Sequence, residues 1–291
     1  MSTSGSGAVV VGIDGSESAL QATRWAAIEA RRMQRPLRLV HGSIWPMVHH
    51  PTPLRLSLDY HEAMVEEARG WVRRARATVE EAAPGVAVEE VVRTGAPVPV
   101  LLEEAEGAYE VVVGSRGLGG FTGLLVGSVA VGLTHHAPCP VVVVRADGDP
   151  TGPVVVGVDG TSASEAAIGY AFDAASRAGA PLCALCTWSD AEIAERWVAP
   201  TGTVQWEAVE DEQRRVLGER LASWQEKYPN VAVEQVVARD RPAHRLLERG
   251  RRARLLVVGC RGRGGFTSML LGSTSRALVH HAPCPLAVVR P

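Results

Sequence analysis

The sequence predicts a doubly wound α/β fold built twice in tandem, and three observations carry that prediction. Short valine-rich runs alternate with segments of helical spacing, which calls for parallel strands with helices on both faces. Landmarks return 145 residues later: Asp14 as Asp159, Pro36 as Pro181, Pro97 as Pro242, and Cys139 as Cys284. A glycine-rich stretch from Gly114 to Ser128 returns as Gly259 to Ser273, both reading G-x2-G-x9-G-S. Over Gly114–Arg145 and Gly259–Arg290, 20 of 32 positions are identical, much closer than the halves are elsewhere. A chance glycine pattern does not recur in register with an entire unit, so the chain reads as a duplication.

Each element follows from local chemistry. The run Ala8-Val-Val-Val-Gly-Ile-Asp14 is a buried strand that delivers an acid to its carboxyl end, and Ser16 is a plausible N-cap for the helix that follows. Pro36 ends that helical segment and introduces a strand over Leu37–Gly42. Residues 43–58 carry Pro46, Pro51 and Pro53 without a regular period and read as a surface loop. From about Asp59 to Ala82, residues such as Met64, Ala68, Val72, Ala75 and Val79 fall at helical spacing. A strand over Val86–Val92, a short helix over Pro97–Glu106 and a strand over Glu110–Val113 lead to the glycine loop. A helix from Gly127 to His136 and a strand over Pro140–Val144 complete five strands. The second half repeats the order: strand to Asp159, helix from Ser162, strand Leu182–Thr187, long helix ending near Tyr228, strand Val231–Val237, helix Pro242–Arg252, strand Leu255–Val258, loop, helix and strand. The expected layout is a flexible tail over 1–7, domains over 8–145 and 153–291, and a linker over 146–152.

Composition narrows the function classes. Of 291 residues, 46% are hydrophobic and 21% charged, and no apolar run approaches the ~20 residues of a membrane helix. The opening seven residues lack the basic and apolar regions of a signal peptide, so a cytoplasmic protein without membrane insertion is expected. A net charge of −2 offers no basic footprint for nucleic acid. Lys227 is the only lysine, and Gly-Lys-Ser/Thr is absent, which excludes a Walker-type phosphate loop. Five cysteines in such a chain suggest reduced thiols.

The chemistry points to the carboxyl ends of the strands, where open α/β sheets bind ligands. There the glycine loop exposes backbone N–H donors and runs into a helix N-terminus, a geometry that holds anions. Gly119-Gly120 and Gly264-Gly265 strip the backbone of side chains, and Arg116 and Arg261 add charge. Gly12 and Asp14, like Gly157 and Asp159, share one side of a strand. The glycine is expected to leave room for a flat or sugar-like group whose hydroxyls the carboxylate accepts. Other candidates read as structure. Cys183-x-x-Cys186 lies in a strand, where residues three apart face opposite ways, and His-His-Ala-Pro-Cys-Pro at 135–140 and 280–285 ends a helix. No nucleophile elbow, HExxH or paired-carboxylate arrangement is visible, so no catalytic or metal-binding residue is assigned.

These residues resemble the universal stress protein family in its tandem, two-domain form. The resemblance rests on Val-Gly-Ile-Asp14-Gly-Ser, Val-Gly-Val-Asp159-Gly-Thr, both glycine loops and the Ala-Pro-Cys-Pro lead into each final strand. It implies a nucleotide-binding α/β fold holding ATP with magnesium, base and ribose near the first two strands and triphosphate on the glycine loop. Carried over, Gly12, Asp14, Gly114, Ser115, Arg116, Gly117, Leu118, Gly119, Gly120, Gly127, Ser128 and Val129 form one site. Gly157, Asp159, Gly259, Cys260, Arg261, Gly262, Arg263, Gly264, Gly265, Gly272, Ser273 and Thr274 form the other. It further implies a stress-response sensor or regulator, associating as a homodimer. A slow ATPase or nucleotide-transferring enzyme is the alternative. The position after strand two, often valine in the family's ATP binders, is Gly42 here and Thr187 in the second half, so cyclic AMP or another adenine nucleotide competes as the ligand.

Overall fold

The computed structural model describes residues 7–43, 54–118, 126–145, 148–188, 206–262 and 271–291, of which 54–61 are described in backbone alone. The chain divides into two compact units, Met1–Arg145 and Ala146–Pro291. The first contains β1 (Val9–Gly12), α1 (Glu17–Met33), β2 (Leu37–Ser43), α2 (Leu54–Ala82), β3 (Val88–Thr94), α3 (Pro97–Ala105), β4 (Glu110–Gly114), α4 (Ser128–His136) and β5 (Val141–Val144). The second contains β6 (Val154–Val158), α5 (Ser162–Ala178), β7 (Leu182–Trp188), α6 (Trp206–Lys227), β8 (Val233–Arg239), α7 (Pro242–Gly250), β9 (Leu255–Gly259), α8 (Ser273–His281) and β10 (Leu286–Val289).

Strand order is β3-β2-β1-β4-β5 in the first unit and β8-β7-β6-β9-β10 in the second. Within each unit every neighbouring pair is parallel. The valine runs explain why. Val9, Val10 and Val11 are fully buried, as are Val154, Val155 and Val156 to within 1%, which requires helices on both faces. The chain leaves β1 on one side through β2 and β3 and returns on the other as β4. β1 therefore lies between β2 and β4, and its carboxyl end sits at the switch point.

Caps set the helix boundaries. Ser16 accepts from Ala19 N at the start of α1, and Thr161 accepts from Ser164 N at the start of α5. Both helices end on a left-handed residue, Gln34 at φ 53° and Gly179 at φ 58°, followed two residues on by proline. Pro97 and Pro242 sit in the first turns of α3 and α7, where a missing N–H costs nothing. On α2 the helical spacing resolves into a buried stripe of Ala68, Val72, Ala75 and Val79, all at most 1% exposed.

Boundaries differ from expectation at β3 and β8, each two residues later than the strands expected over Val86–Val92 and Val231–Val237, and most at α2. α2 begins at Leu54, inside the segment read as loop; the remainder of that segment, 44–53, lies outside the described residues. Pro53 is the last of three prolines, and beyond it nothing removes a backbone donor, so the helix extends a turn past its periodic stripe. In the linker, Asp149 Oδ1 accepts from Thr151 N at 2.9 Å and Thr151 Oγ1 at 2.7 Å, forming a turn before β6.

Candidate functional site

In the first unit the strand-one acid is tied to the glycine loop. Asp14 Oδ1 accepts from Ser16 N at 3.0 Å and from Ser16 Oγ at 2.6 Å, while Oδ2 accepts from Leu118 N at 3.2 Å. Asp14 thus shapes the turn into α1 and pins the loop across the crevice. The approach is close enough that a β-carbon on Gly117 would stand 2.3 Å from Asp14 Oδ2, so any side chain there must displace the carboxylate. Ser115 N donates to Val144 O at 2.9 Å and Gly127 N to Ser115 O at 2.7 Å, which fasten the root of the loop to β5.

The loop, the acid and α4 open onto a cavity of about 590 Å³. Of the sequence-predicted residues, Gly12, Asp14, Gly114, Arg116, Gly117, Leu118, Gly127, Ser128 and Val129 line it. Ser115 does not: it is 2% exposed, and only its backbone shapes the loop. Gly119 and Gly120 lie outside the described residues. The helix ends differ in a way that matters for anions. The first turn of α1 is stoppered by Ser16, whereas α4 is preceded by Gly127 and receives no side-chain cap among the described residues. The first-turn N–H groups of α4, without a side-chain cap among the described residues, belong to the stretch Gly127–Ala130 that lines the cavity.

The expectation for Gly12 is corrected. A β-carbon there would meet Val113 Cγ1 at 3.0 Å and Leu101 Cδ1 at 3.1 Å, so the space is filled by α3 and β4 side chains. Gly42 behaves alike: its β-carbon position lies 3.0 Å from Pro97 Cα and 3.2 Å from Gly95 O. The segment entering α3 crosses β2 closely and roofs the cavity with Pro97 and Leu101.

Two wall residues escaped the sequence reading. His41, 7% exposed at the end of β2, has Nδ1 2.7 Å from Ile13 O. A carbonyl only accepts, so Nδ1 carries the proton. Trp71 projects from α2 and meets His41 edge to face, with ring centroids 5.2 Å apart. Both line the cavity. Trp71 had the apolar spacing of a core position, and β2 offered no motif at His41, so no local signal marked either one.

The second unit repeats the framework. Asp159 Oδ1 accepts from Thr161 N at 3.0 Å and Thr161 Oγ1 at 2.8 Å, and a β-carbon on Gly262 would lie 2.6 Å from Asp159 Oδ2. Cys260 N donates to Val289 O at 2.8 Å and Gly272 N to Cys260 O at 2.9 Å. Gly157 packs against Leu246 and Val258, and Gly259 against Ala163. Cys260 is fully buried, Arg261 is exposed, and Gly272 precedes an α8 that also lacks a side-chain cap among the described residues, with Ser273 and Thr274 in its first turn. Arg263, Gly264 and Gly265 lie outside the described residues.

Charge and burial complete the picture. Burial first, and the like charge of Arg116 second, lower the pKa of Arg145, the second cause marking two arginines within electrostatic reach of each other. The thiols are structural. Burial, reinforced by Glu110, pushes Cys139 up to about 12; burial alone takes Cys284 to about 12, and burial with Glu234 takes Cys183 to about 11.

The universal stress protein family model matches residues 6–145 and again 151–290. The chain belongs to the universal stress protein family. Among members of the family, a universal stress protein of Mycobacterium tuberculosis H37Rv is 42% identical over 294 residues, covering 97% of this chain and 96% of the relative. One from Mycolicibacterium smegmatis is 40% identical over 290 residues, covering 97% of each. The crystal structure of a universal stress protein from Archaeoglobus fulgidus shares the fold, with TM-score 0.71, 20% identity and 98% of each chain covered.

Proposed function

We propose that this universal stress protein binds ATP, with magnesium, at one site per domain and acts as a non-enzymatic sensor or regulator in a stress response. The observation that carries the reading is the first unit's cavity, where a glycine loop meets the start of α4, which has no side-chain cap among the described residues. Backbone N–H groups and the positive end of a helix favour a phosphate group. A volume of about 590 Å³ falls in the range of small-molecule sites. In that cradle, Gly114–Gly117 and Gly127–Val129 hold phosphates, Arg116 adds charge at the rim, and the space beside β2 takes the base. The second unit's Asp159, Gly259–Gly262 and Gly272–Thr274 make the corresponding site, with Gly119, Gly120, Arg263, Gly264 and Gly265 completing the two loops. We place the domains at 8–145 and 153–291 and the protein in the cytoplasm as a homodimer that binds neither nucleic acid nor membrane.

Holding is favoured over cleaving because the crevice acid is spent on structure: three donors already occupy the Asp14 oxygens. Cyclic AMP, which carries the same adenine, stays a rival ligand, since Gly42 stands where the family's ATP binders often have valine. The test is to denature the purified protein, identify released small molecules by mass spectrometry, and titrate the stripped protein with MgATP and cyclic AMP. Two equivalents of ATP bound without turnover is the expected result. Cyclic AMP alone would replace the ligand, steady ATP hydrolysis abolished by Asp14→Ala would replace the function, and no adenine nucleotide bound would refute the reading.

A further inference from the structure

The two units differ where the strand-one acid turns into the first helix. Gly15 and Gly160 occupy equivalent positions, both at φ +84°. Over Gly15 sits Trp71: a β-carbon there would be 2.7 Å from Cδ2, Cε2 and Nε1 alike, so the glycine packs on the face of the indole. Over Gly160 sits Arg220, with Nη2 at 2.9 Å, Cζ at 3.2 Å and Nε at 3.4 Å from the same construction. A guanidinium plane has replaced an indole plane. The neighbouring residue changes too: His41 corresponds to Cys186, which contacts Gln213 Oε1 at 3.8 Å.

The first unit's wall carries a distinct hydrogen-bonding pattern. With Nδ1 of His41 donating to Ile13 O, Nε2 is the ring nitrogen left to a ligand and accepts in the imidazole form, and among the described residues it has no hydrogen bond. The indole N–H of Trp71 likewise has no acceptor among the described residues. An acceptor and a donor, set on two rings 5.2 Å apart, thus border one cavity. A purine with an exocyclic amine satisfies this pair, giving its amine hydrogen to the imidazole and accepting the indole N–H at a ring nitrogen. Hypoxanthine keeps ring nitrogens that accept the indole N–H but puts a carbonyl where the amine was, so in the same pose Nε2 faces a second acceptor and goes unpaired. A site built to bond a ligand group rejects the analogue lacking it far better than an apolar pocket does. We propose that His41 and Trp71 are specificity-determining residues that make the first half selective for an amino-bearing purine nucleotide, whereas the second half, with Cys186 and Arg220 in their places, holds its ligand through charge without reading the base. The two halves then respond to different features of the nucleotide pool. The inference rests on the nucleotide-binding reading above.

Single-site full-length proteins separate the halves. Gly262→Val drives a side chain into Asp159 and leaves the first site alone; Gly117→Val does the reverse. Calorimetry then uses three probes: ATP, inosine triphosphate and inorganic tripolyphosphate. The first site is expected to hold ATP at least tenfold more tightly than inosine triphosphate, and the second to hold both within twofold. In the first-site protein, His41→Asn keeps a donor for Ile13 O and deletes the Nε2 acceptor, so ATP affinity falls to that of inosine triphosphate while tripolyphosphate is unaffected. Trp71→Leu removes the indole N–H that both bases accept at a ring nitrogen and weakens both nucleotides by about tenfold, again without touching tripolyphosphate. Trp71→Phe keeps an aromatic ring beside Gly15 without the N–H, so it repeats the loss and serves as the control if the leucine variant melts early. Equal ATP and inosine triphosphate affinity at the first site, or tripolyphosphate binding lost in step with ATP, overturns the inference and leaves the nucleotide reading standing. Failure of the unmutated protein to bind any of the three probes overturns both.

Discussion

Asp14 is a carboxylate whose partners were invisible in the sequence and decide its role. The sequence placed it at the strand end facing a ligand; the structure gives it Ser16 N, Ser16 Oγ and Leu118 N as donors. The acid organises the site by holding a loop from 104 residues away. Gly117 is the counterpart that makes this possible, because any β-carbon would fall 2.3 Å from Oδ2. Gly117→Ala is therefore expected to break the Leu118 N–Asp14 bond and lower nucleotide affinity at the first site by tenfold or more. Its cost in stability is about 1–3 kcal/mol, the range for losing a hydrogen bond to a charged group. Paired calorimetric titrations and urea melts of Gly117→Ala and the unmutated protein measure both, and an alanine variant that binds normally would remove Asp14 from the site's architecture.

Among the elements, α3 shows how surface charge positions a cavity roof. Arg38 on β2 bonds Glu89 on β3 at 2.8 Å and Glu104 on α3 at 2.9 Å, and Arg93 on β3 bonds Glu104 at 3.1 Å and Glu103 at 2.6 Å. The Arg38–Glu104 pair is only 13% exposed at either side chain, so it is screened less than a surface pair. Hydrogen bonds to Glu104 first, and to Glu103 second, raise the pKa of Arg93. This network ties the carboxyl half of α3 to the sheet while its amino half places Pro97 and Leu101 over the crevice. Glu104→Ala leaves Arg38 half-satisfied and is expected to cost about 1–3 kcal/mol, within the usual range for a broken charge network. Ligand affinity should fall alongside, and a denaturant melt with and without MgATP separates the two effects. Most helices could be read because capping and period agree, as with Ser16, Pro97 and the Ala68–Val79 stripe. The start of α2 could not, since helix formation there follows from the end of a proline run and leaves no periodic mark.

For the molecule as a whole, buried thiols link stability to alkaline pH. Cys139 and Cys284 are pushed up to about 12 and Cys183 to about 11, against an ordinary value of 9.0. The folded chain keeps these protons after the unfolded chain has released them. Their contribution is full below pH 9 and is lost as pH rises from 9 towards 11 and 12. Each such thiol lowers the unfolding free energy by about 1.4 kcal/mol per pH unit in that window. Urea midpoints should be level between pH 7 and 8.5 and drop steeply by pH 10.5, with a shallower drop after Cys139→Ala and Cys284→Ala. An unchanged slope in the double variant would assign the alkaline loss to other groups.

Periodicity and duplication were sufficient for the architecture. Valine runs buried on both faces admit only parallel strands under helices, and a 145-residue echo admits only two such units. The glycine loop was legible for the same reason, since glycines at a fixed spacing between strand and helix are a backbone property written locally. The walls were not. Trp71, His41, Pro97 and Leu101 come from four elements, and each matched an ordinary core or capping pattern; their meeting around one cavity depends on strand order and helix packing. So does the exchange of Trp71 for Arg220 above equivalent glycines, which no alignment by the 145-residue offset pairs. Long-range contacts assign side chains to a site, and local chemistry places only the backbone that waits for them.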